Sequence, residues 1–249
     1  MSLPPPLGSL DMTVLAGDGL VLRGVLAYPE LPVARNYPLA ILAHQYPATM
    51  DSYAPLIEDL LEMGVAVLAF DERGHGASTA GPGGPVVIDT PVGFTGEAFG
   101  AAFMASAARV GFQKIDDDIL RVASWGAAQN QIDTGKLLLV GSSVGGSGVL
   151  LAAPEITGLA GVMTFGAAGA PVFPDGPARI RRAAETVKAP FLLTSSEGDA
   201  FNGAQNVREW SKGLGHVATR IVPGAAHAMA IYYDVRDEVL AFVRKALGA

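Results

Sequence analysis

The sequence predicts an α/β fold in which a mostly parallel sheet is covered by helices on both faces. Short runs rich in Val, Ile, Leu or Phe alternate with segments of helical periodicity along most of the chain, and that alternation is typical of βα units. The runs are nearly free of polar residues, as expected for strands that a parallel sheet buries on both faces. Half of the 249 residues are hydrophobic, which is enough for one large core. We therefore expect a single domain over residues 1–249.

An antiparallel hairpin is predicted at the N-terminus, followed by the parallel strands. Residues 12–15 and 20–27 are separated by Gly17-Asp18-Gly19, which favours the positive φ of a tight hairpin turn. Six apolar runs predict the later strands: Leu39–Ala43, Val65–Phe70, Leu137–Val140, Leu159–Phe165, Phe191–Thr194 and Val217–Val222.

Four helices are predicted between these strands from the spacing of apolar residues. The first opens at Ser52 and ends at Gly64, and the second begins with the aspartates 116–118. Acidic groups favour the positive end of a helix dipole; a metal site is the alternative interpretation of these aspartates. The last two helices are indicated by these residues: Val207, Trp210 and Leu214, then Val235, Val239, Phe242 and Ala246 with Asp234 as cap and Gly248 at the end.

Residues 77–112 interrupt the alternation. This segment is rich in Gly and Ala, is nearly uncharged, and is far longer than the loops of about two to six residues that usually join a strand to a helix. Phe99 and Phe103 stand one helical turn apart and indicate a helical turn there. Because long loops in compact domains commonly carry function, we expect a lid over the site, with extra core packing as the alternative.

Composition excludes several classes of function. The sequence has no cysteine, which excludes a disulfide framework, a cysteine-ligated metal centre and a cysteine nucleophile. The 17 basic and 24 acidic residues give a net charge of −7, and no long basic run offers a surface for a phosphate backbone. We therefore expect no nucleic-acid partner.

The sequence also favours a protein without a membrane span. The uncharged stretches 137–154 and 156–174 are full of Gly and interrupted by Ser, Thr or Pro, which favours buried strands over spans. The opening MSLPPPLGSLDM lacks the basic and apolar regions of an export signal. This favours a cytoplasmic location, although a secreted chain whose signal had been removed would look the same.

A candidate nucleophile follows the run 137–140. Gly141-Ser142-Ser143-Val144-Gly145 fits G-x-S-x-G with Ser143 at its centre. That pattern places a serine on a strained turn between strand and helix, with glycines where the two elements approach closely. The turn exposes the hydroxyl and directs the N–H of Val144 at an attacked carbonyl oxygen. A phosphate-binding loop is the rival interpretation, but neither Gly-Lys-Ser/Thr nor G-x-G-x-x-G fits here.

A serine nucleophile needs a base, and the base needs a group that orients it. His227 follows the last predicted strand, and catalytic groups of this architecture gather at the carboxyl ends of strands. Asp199 follows the preceding strand, with Glu197 and Asp175 as alternative acids. The chain order Ser143, Asp199, His227 is the order expected for one α/β architecture.

With these motifs the chain resembles the α/β-hydrolase family from about Asp11 to Leu247. The segment Asp71-Glu-Arg-Gly-His-Gly-Ala-Ser78 resembles the family turn D-x-R-G-x-G-x-S, which implies a structural role for His75. His44-Gln45-Tyr46 stands where the family usually has His-Gly-x, and the resemblance implies the backbone N–H of Tyr46 as the second oxyanion donor. Gln45 is then either a polar wall of the pocket or a side chain that holds the loop.

Within the family the short chain is similar to small serine esterases and dienelactone-hydrolase-like proteins, although true dienelactone hydrolases use a cysteine nucleophile. The resemblance implies a carboxylic ester hydrolase that acts on short to medium acyl esters or lactones through an acyl-enzyme, without metal or organic cofactor. An aminopeptidase, thioesterase, perhydrolase or non-catalytic ligand-binding member is the alternative. We expect the substrate pocket to include Gln45, Phe94, Phe99 and Phe103. The sequence does not indicate which oligomeric state the protein has.

Overall fold

The computed structural model of the protein describes residues 8–30, 36–91 and 96–248. In these ranges ten strands form one sheet. The strands are β1 (Ser9–Leu15), β2 (Val21–Ala27), β3 (Tyr37–Ala43), β4 (Ala66–Asp71), β5 (Ala80–Gly81), β6 (Gly84–Pro85), β7 (Ile132–Ser142), β8 (Leu159–Phe165), β9 (Phe191–Ser196) and β10 (Val217–Val222). Every predicted strand is present.

The sheet is mostly parallel, with antiparallel strands at one edge. Its order is β10-β9-β8-β7-β3-β4-β2-β5-β6, and β1 pairs with β2. The six strands from β10 to β4 in this order run parallel to their neighbours. The hairpin of β1 and β2 is antiparallel, and β2 joins β4 in antiparallel register. The predicted fold class is therefore confirmed.

Seven α-helices occur in the described ranges: α1 (Ala54–Glu62), α2 (Gly96–Ser106), α3 (Ile115–Ala127), α4 (Ser143–Ala152), α5 (Gly176–Thr186), α6 (Gly203–Ser211) and α7 (Tyr232–Leu247). Two predicted helix ends are wrong. Leu214 lies beyond α6, because the chain turns through Gly213 at φ +76°. Asp234 lies in the first turn of α7 rather than at its cap, because a 3-10 turn over Ala228–Ile231 starts the helix earlier.

The core lies in two layers, one on each face of the sheet. Neighbouring residues of a strand point to opposite faces, so Leu39 and Ile41 enter one layer and Ala40 and Leu42 the other. Buried side chains of α3, α4, α5 and α6 complete the first layer, and those of α1 and α7 complete the second. This sandwich leaves the carboxyl ends of the parallel strands at one edge of the sheet, where Ser143, Asp199 and His227 occur.

The aspartates 116–118 occupy the first turn of α3, as the dipole argument predicts. Each carboxylate pairs with an arginine: Asp116 with Arg179 at 2.7 Å, Asp117 with Arg121 at 2.8 Å and Asp118 with Arg73 at 2.6 Å. Ion pairing therefore accounts for all three charges.

Residues 77–112 contain more regular structure than the single helical turn that the sequence indicates. The two-residue strands β5 and β6 extend the sheet edge beside β2, and α2 runs for 11 residues before a wider turn over Ala107–Gly111. No helix in the described part of the chain has the length and apolar character needed to cross a membrane.

Candidate active site

Ser143 occupies a strained turn between β7 and α4. Its φ is +50°, a region in which residues other than glycine are uncommon. The flanking glycines leave no space for a side chain: a Cβ on Gly141 would stand 2.5 Å from the carbonyl oxygen of Gly145, and a Cβ on Gly145 would stand 2.3 Å from that of Ala43. The close approach of α4 to the sheet thus requires both glycines of the motif.

The backbone around Ser143 offers donors to a negative oxygen. Val144 is the second residue of α4, and the first four N–H groups of a helix have no partner within it. The loop after β3 brings Tyr46 to the cavity that Ser143 also lines. The hydroxyl of Tyr46 donates a hydrogen bond to the carbonyl of Asp89, which fixes this loop against the 77–112 segment. The role of the Val144 and Tyr46 N–H groups as oxyanion donors stays a prediction.

Gln45 is half-buried and its side chain holds the loop. Its Oε1 accepts a hydrogen bond of 2.6 Å from Oγ of Ser142, the residue before the candidate nucleophile. Gln45 is not among the described residues that line the cavity. Of the two interpretations of Gln45, the structure favours the side chain that ties down the loop.

His227 and Asp199 are joined by a hydrogen bond of 2.8 Å between Nδ1 and Oδ2. A carboxylate only accepts, so Nδ1 carries the proton and Nε2 is left as the acceptor. The Asp199 side chain is 0 % exposed and that of His227 is 18 % exposed. Asp199 also accepts hydrogen bonds from Oγ of Ser195 at 3.2 Å and from the backbone N–H of Phe201 at 2.9 Å. The pair therefore has the tautomer and the access that a general base requires.

No hydrogen bond joins Ser143 Oγ to His227 within the described ranges. In enzymes without substrate, such bonds are often long and tighten only when the substrate binds. The other candidate acids lie elsewhere: Glu197 pairs with Arg208 at the surface, and Asp175 is exposed at the start of α5.

Two histidines at the same sheet edge, His44 and His75, are buried. Nδ1 of His75 donates a hydrogen bond to the carbonyl of Arg73 at 3.0 Å, and its Nε2 has no hydrogen-bond partner among the described residues. Nδ1 of His44 donates to the carbonyl of Gln45, and Nε2 accepts from the N–H of Glu72, both at 2.9 Å. Burial lowers the pKa of His44 to about 4. Burial, together with the neighbouring His44, lowers the pKa of His75 to about 3. Both rings are therefore neutral structural groups.

The turn after β4 contains an ion pair that sequence reasoning missed. Arg73 is 1 % exposed and forms a bidentate pair with Asp118, with bonds of 2.6 and 2.9 Å. It also donates to the carbonyl of Val110 at 3.0 Å and to Asp18 at 3.1 Å. The sequence contains one signal, since Asp118 stands next to the apolar positions of α3, but neither interpretation of the aspartates, a helix start or a metal site, includes this ion pair.

A cavity of about 290 Å³ opens beside Ser143. Its described lining comes from the loop after β3, from α2, and from the loops after β8 and β9: Tyr46, Phe99, Gly100, Phe103, Met104, Ser143, Ala168, Gly169, Pro171, Val172, Ala200, Phe201 and Asn202. Phe99 and Phe103 thus lie in the lining. Phe94, which the sequence also suggested, lies outside the described residues.

Aromatic contacts connect the α2 wall to the candidate base. The ring centroid of Phe201 lies 4.5 Å from that of His227 and 5.0 Å from that of Phe99. Tyr46 packs edge-on against Phe99 and Phe103, each at 5.4 Å. Phe201 was missed by sequence reasoning, although its position two residues after Asp199 placed it on the same loop.

The comparisons agree with this architecture. The sequence profile of the alpha/beta hydrolase fold matches residues 38–164, just over half of the chain. The chain therefore belongs to the alpha/beta hydrolase family. No curated protein matches the sequence.

Solved structures similar to this chain include two esterases and a dienelactone hydrolase. A carboxyl esterase from Bacillus coagulans is 15 % identical with a TM-score of 0.68, covering 97 % of this chain and 99 % of its own. An esterase from Pyrococcus furiosus is 16 % identical with a TM-score of 0.64, covering 99 % and 98 %. A dienelactone hydrolase from Anabaena variabilis is 18 % identical with a TM-score of 0.62, covering 92 % and 95 %. These likenesses establish a shared fold over nearly the whole chain.

Proposed function

We propose that the protein is a serine carboxylic ester hydrolase that acts on short to medium acyl esters or lactones. The observation that carries this proposal is the 2.8 Å bond between His227 and Asp199 at the sheet edge where Ser143 occupies the strained turn after β7. The esterases among the structural neighbours support the same class of reaction.

In the proposed first step, Ser143 Oγ attacks the acyl carbon while Nε2 of His227 takes the hydroxyl proton. Asp199 stabilises the imidazolium through the bond to Nδ1. The carbonyl π electrons move to oxygen, and the N–H groups of Val144 and Tyr46 stabilise the resulting oxyanion. One such donor contributes about 3 to 4 kcal/mol in a protease where it was removed.

The tetrahedral intermediate then collapses. The bond to the leaving oxygen breaks, and His227 returns its proton to the departing alcohol. Water enters, His227 removes one of its protons, and the hydroxide formed attacks the acyl-enzyme. In the second tetrahedral intermediate the bond between the acyl carbon and Ser143 Oγ breaks, and His227 returns its proton to that oxygen, which releases the acid and regenerates Ser143. Ester and water are the only reactants of these steps, so the proposed mechanism uses no metal or organic cofactor.

We also propose that residues 77–112 act as a lid over the site. Helix α2 contributes Phe99, Phe103 and Met104 to the cavity, so displacement of α2 would open the site. The cavity volume of about 290 Å³ lies just below the range of about 300 to 1,000 Å³ found for ligand pockets. We therefore expect acyl groups of short to medium length to fit best.

The activity test uses p-nitrophenyl esters of increasing chain length with the purified protein and Ser143→Ala. We expect kcat/KM to peak at short to medium chains and to fall by about 10⁴-fold or more in the variant. Undiminished hydrolysis by Ser143→Ala would refute the proposal. The same panel includes thioesters, aminoacyl amides and peroxide-dependent oxygen transfer, which test for thioesterase, aminopeptidase and perhydrolase activity. Ligand-induced stabilisation without turnover would indicate a binding protein.

A further inference from the structure

We propose that the cavity beside Ser143 selects esters whose acyl part is uncharged and apolar. This inference rests on the proposed function and specifies its substrate class. None of the described lining residues has an ionisable acid or base as its side chain, apart from the Tyr46 phenol and the Ser143 hydroxyl. Residues 92–95, just before α2, are Val-Gly-Phe-Thr and add no charge.

An anionic substrate would lose its hydration in this cavity without gaining a counter-ion. The described lining has neither lysine nor arginine. The charged side chain that contacts the candidate base is the Asp199 carboxylate, which offers an anion no counter-charge. Removal of an ion from water without a partner carries a large free-energy cost, so a carboxylate on the substrate should oppose binding.

A cationic substrate is disfavoured for a different reason. Aromatic rings attract cations through their faces, but Tyr46 meets Phe99 and Phe103 at interplanar angles of 74° and 72°. The ring of Phe201 lies against those of Phe99 and His227. Asp199, the carboxylate that could attract the cation, is 0 % exposed and engaged by three hydrogen bonds. The rings therefore form an apolar wall of the cavity and not an aromatic cage that could enclose a cation.

The test compares three ethyl esters of nearly the same shape by titration of the acid released at constant pH. They are ethyl 5-methylhexanoate, which is neutral, monoethyl glutarate, which is anionic, and ethyl 4-(trimethylammonio)butanoate, which is cationic. We expect kcat/KM for the neutral ester to exceed both others by about 100-fold, the discrimination that an uncompensated charge causes at a binding site. A preference below about tenfold over either charged ester would overturn the inference.

A charge introduced at the rim should change this selectivity in a defined direction. Met104 lines the cavity and is 58 % exposed, so a polar residue there is compatible with folding. In Met104→Lys, we expect the ratio of kcat/KM for monoethyl glutarate to that for the neutral ester to rise by about tenfold. Met104→Gln is the matched uncharged control and should leave the ratio unchanged. An equal rise in both variants would indicate shape rather than charge and would contradict the inference.

Failure of this inference is distinguishable from failure of the proposed function. Hydrolysis that depends on Ser143 but does not discriminate between the three esters overturns only the substrate class. If no ester is hydrolysed, the proposed function fails. The selectivity of the cavity can then be measured by binding, as the thermal stabilisation of the protein by the neutral, anionic and cationic N-ethyl amides that match the three esters. Stronger stabilisation by the neutral amide supports the selectivity; equal stabilisation by all three overturns it.

Discussion

Two groups of histidines at the same edge of the sheet differ in what they can do. His227 bonds to a buried carboxylate through one ring nitrogen and is 18 % exposed, whereas His44 and His75 are at most 1 % exposed. His44 uses both ring nitrogens in bonds to backbone groups. A base for catalysis needs an orienting acid and an accessible nitrogen, and only the first arrangement provides both among the histidines that the structure describes at this edge.

Two charged pairs of the molecule also differ in their surroundings. The pair of Asp199 and His227 contacts the cavity lining through Phe201, while Arg73 and Asp118 form a buried clamp between the turn after β4 and helix α3. We expect changes in the first pair to affect turnover and changes in the second to affect stability.

Loss of the base should abolish most activity without unfolding the protein. In His227→Gln, we expect kcat for a short-chain p-nitrophenyl ester to fall by about 10⁴-fold or more, because Ser143 loses its proton acceptor. Asp199→Asn should lower kcat by a similar factor, because it favours the wrong tautomer of His227. Steady-state kinetics and circular dichroism of each variant provide the measurement.

His216→Gln is the matched control for this prediction. Nε2 of His216 contacts the carbonyl of Ala184 at 2.8 Å, and His216 precedes the amino end of β10, whereas His227 follows its carboxyl end. We expect its kcat to stay within about twofold of the wild type, as for substitutions outside the interacting set. A loss in His216→Gln as large as that in His227→Gln would remove the distinction between the two histidines.

Removal of one member of the Arg73–Asp118 pair should destabilise the fold. Arg73→Met leaves the Asp118 carboxylate buried without its partner, and we expect the free energy of unfolding to fall by about 3 to 5 kcal/mol. Urea unfolding measures this change. The double variant Arg73→Met/Asp118→Leu should recover part of the loss, because the unpaired charge is gone. A decrease below about 1 kcal/mol in the single variant would mean that the clamp contributes little.

The buried histidines predict that stability falls in weak acid. Their folded pKa values of about 4 for His44 and about 3 for His75 lie below the value of about 6.5 for the unfolded chain. The unfolded chain therefore binds more protons in this window. The contribution of each histidine, on the order of 3 to 5 kcal/mol, is complete above pH about 6.5 and decreases as the pH falls.

His75→Phe tests this contribution with little change in packing, since His75 already stacks on Phe112 at 5.8 Å. Urea unfolding from pH 7 to pH 4.5 should show a shallower decrease in the variant than in the wild type. Identical slopes would show that His75 does not supply the acid sensitivity.

The smallest effect is expected at the contact between the two regions of the site. Phe201→Leu removes a ring that lies 4.5 Å from His227, and looser positioning of the base should lower kcat by about tenfold. Phe99→Leu removes a ring that touches Phe201 and Tyr46, so it should raise KM more than it lowers kcat. A change in KM alone for Phe201→Leu would assign Phe201 to the wall of the cavity and not to positioning of His227.

Strong local patterns made much of the fold predictable. The parallel strands are continuous apolar runs, and the hairpin has a glycine-rich turn, so both are evident from neighbouring residues. Helix α5 was not predicted because its buried face consists of Ile180 and small residues such as Ala183 and Ala184, which give a weak apolar pattern. Helix α2 was reduced to one turn because its Gly- and Ala-rich sequence has no polar face to contrast with the apolar one.

The candidate site was predictable where chain order and strand ends restrict the choice. Asp199 and His227 follow neighbouring predicted strands of the sheet, so their contact depends only on the topology. The participation of Ser143 stays a prediction. Phe201 and the pairing of Arg73 with Asp118 depend on how α2 and α3 pack in three dimensions. Residues distant in the chain make those contacts, and no local pattern specifies them.

The most direct test of the central claim is covalent labelling of the folded protein by a fluorophosphonate, followed by peptide mass spectrometry. If Ser143 is a nucleophile activated by His227, the label should be found on Ser143. It should persist in Ser142→Ala and be lost in Ser143→Ala, with much slower labelling in His227→Gln. A folded wild-type protein that does not label at Ser143, or that labels equally well in Ser143→Ala, would contradict the account.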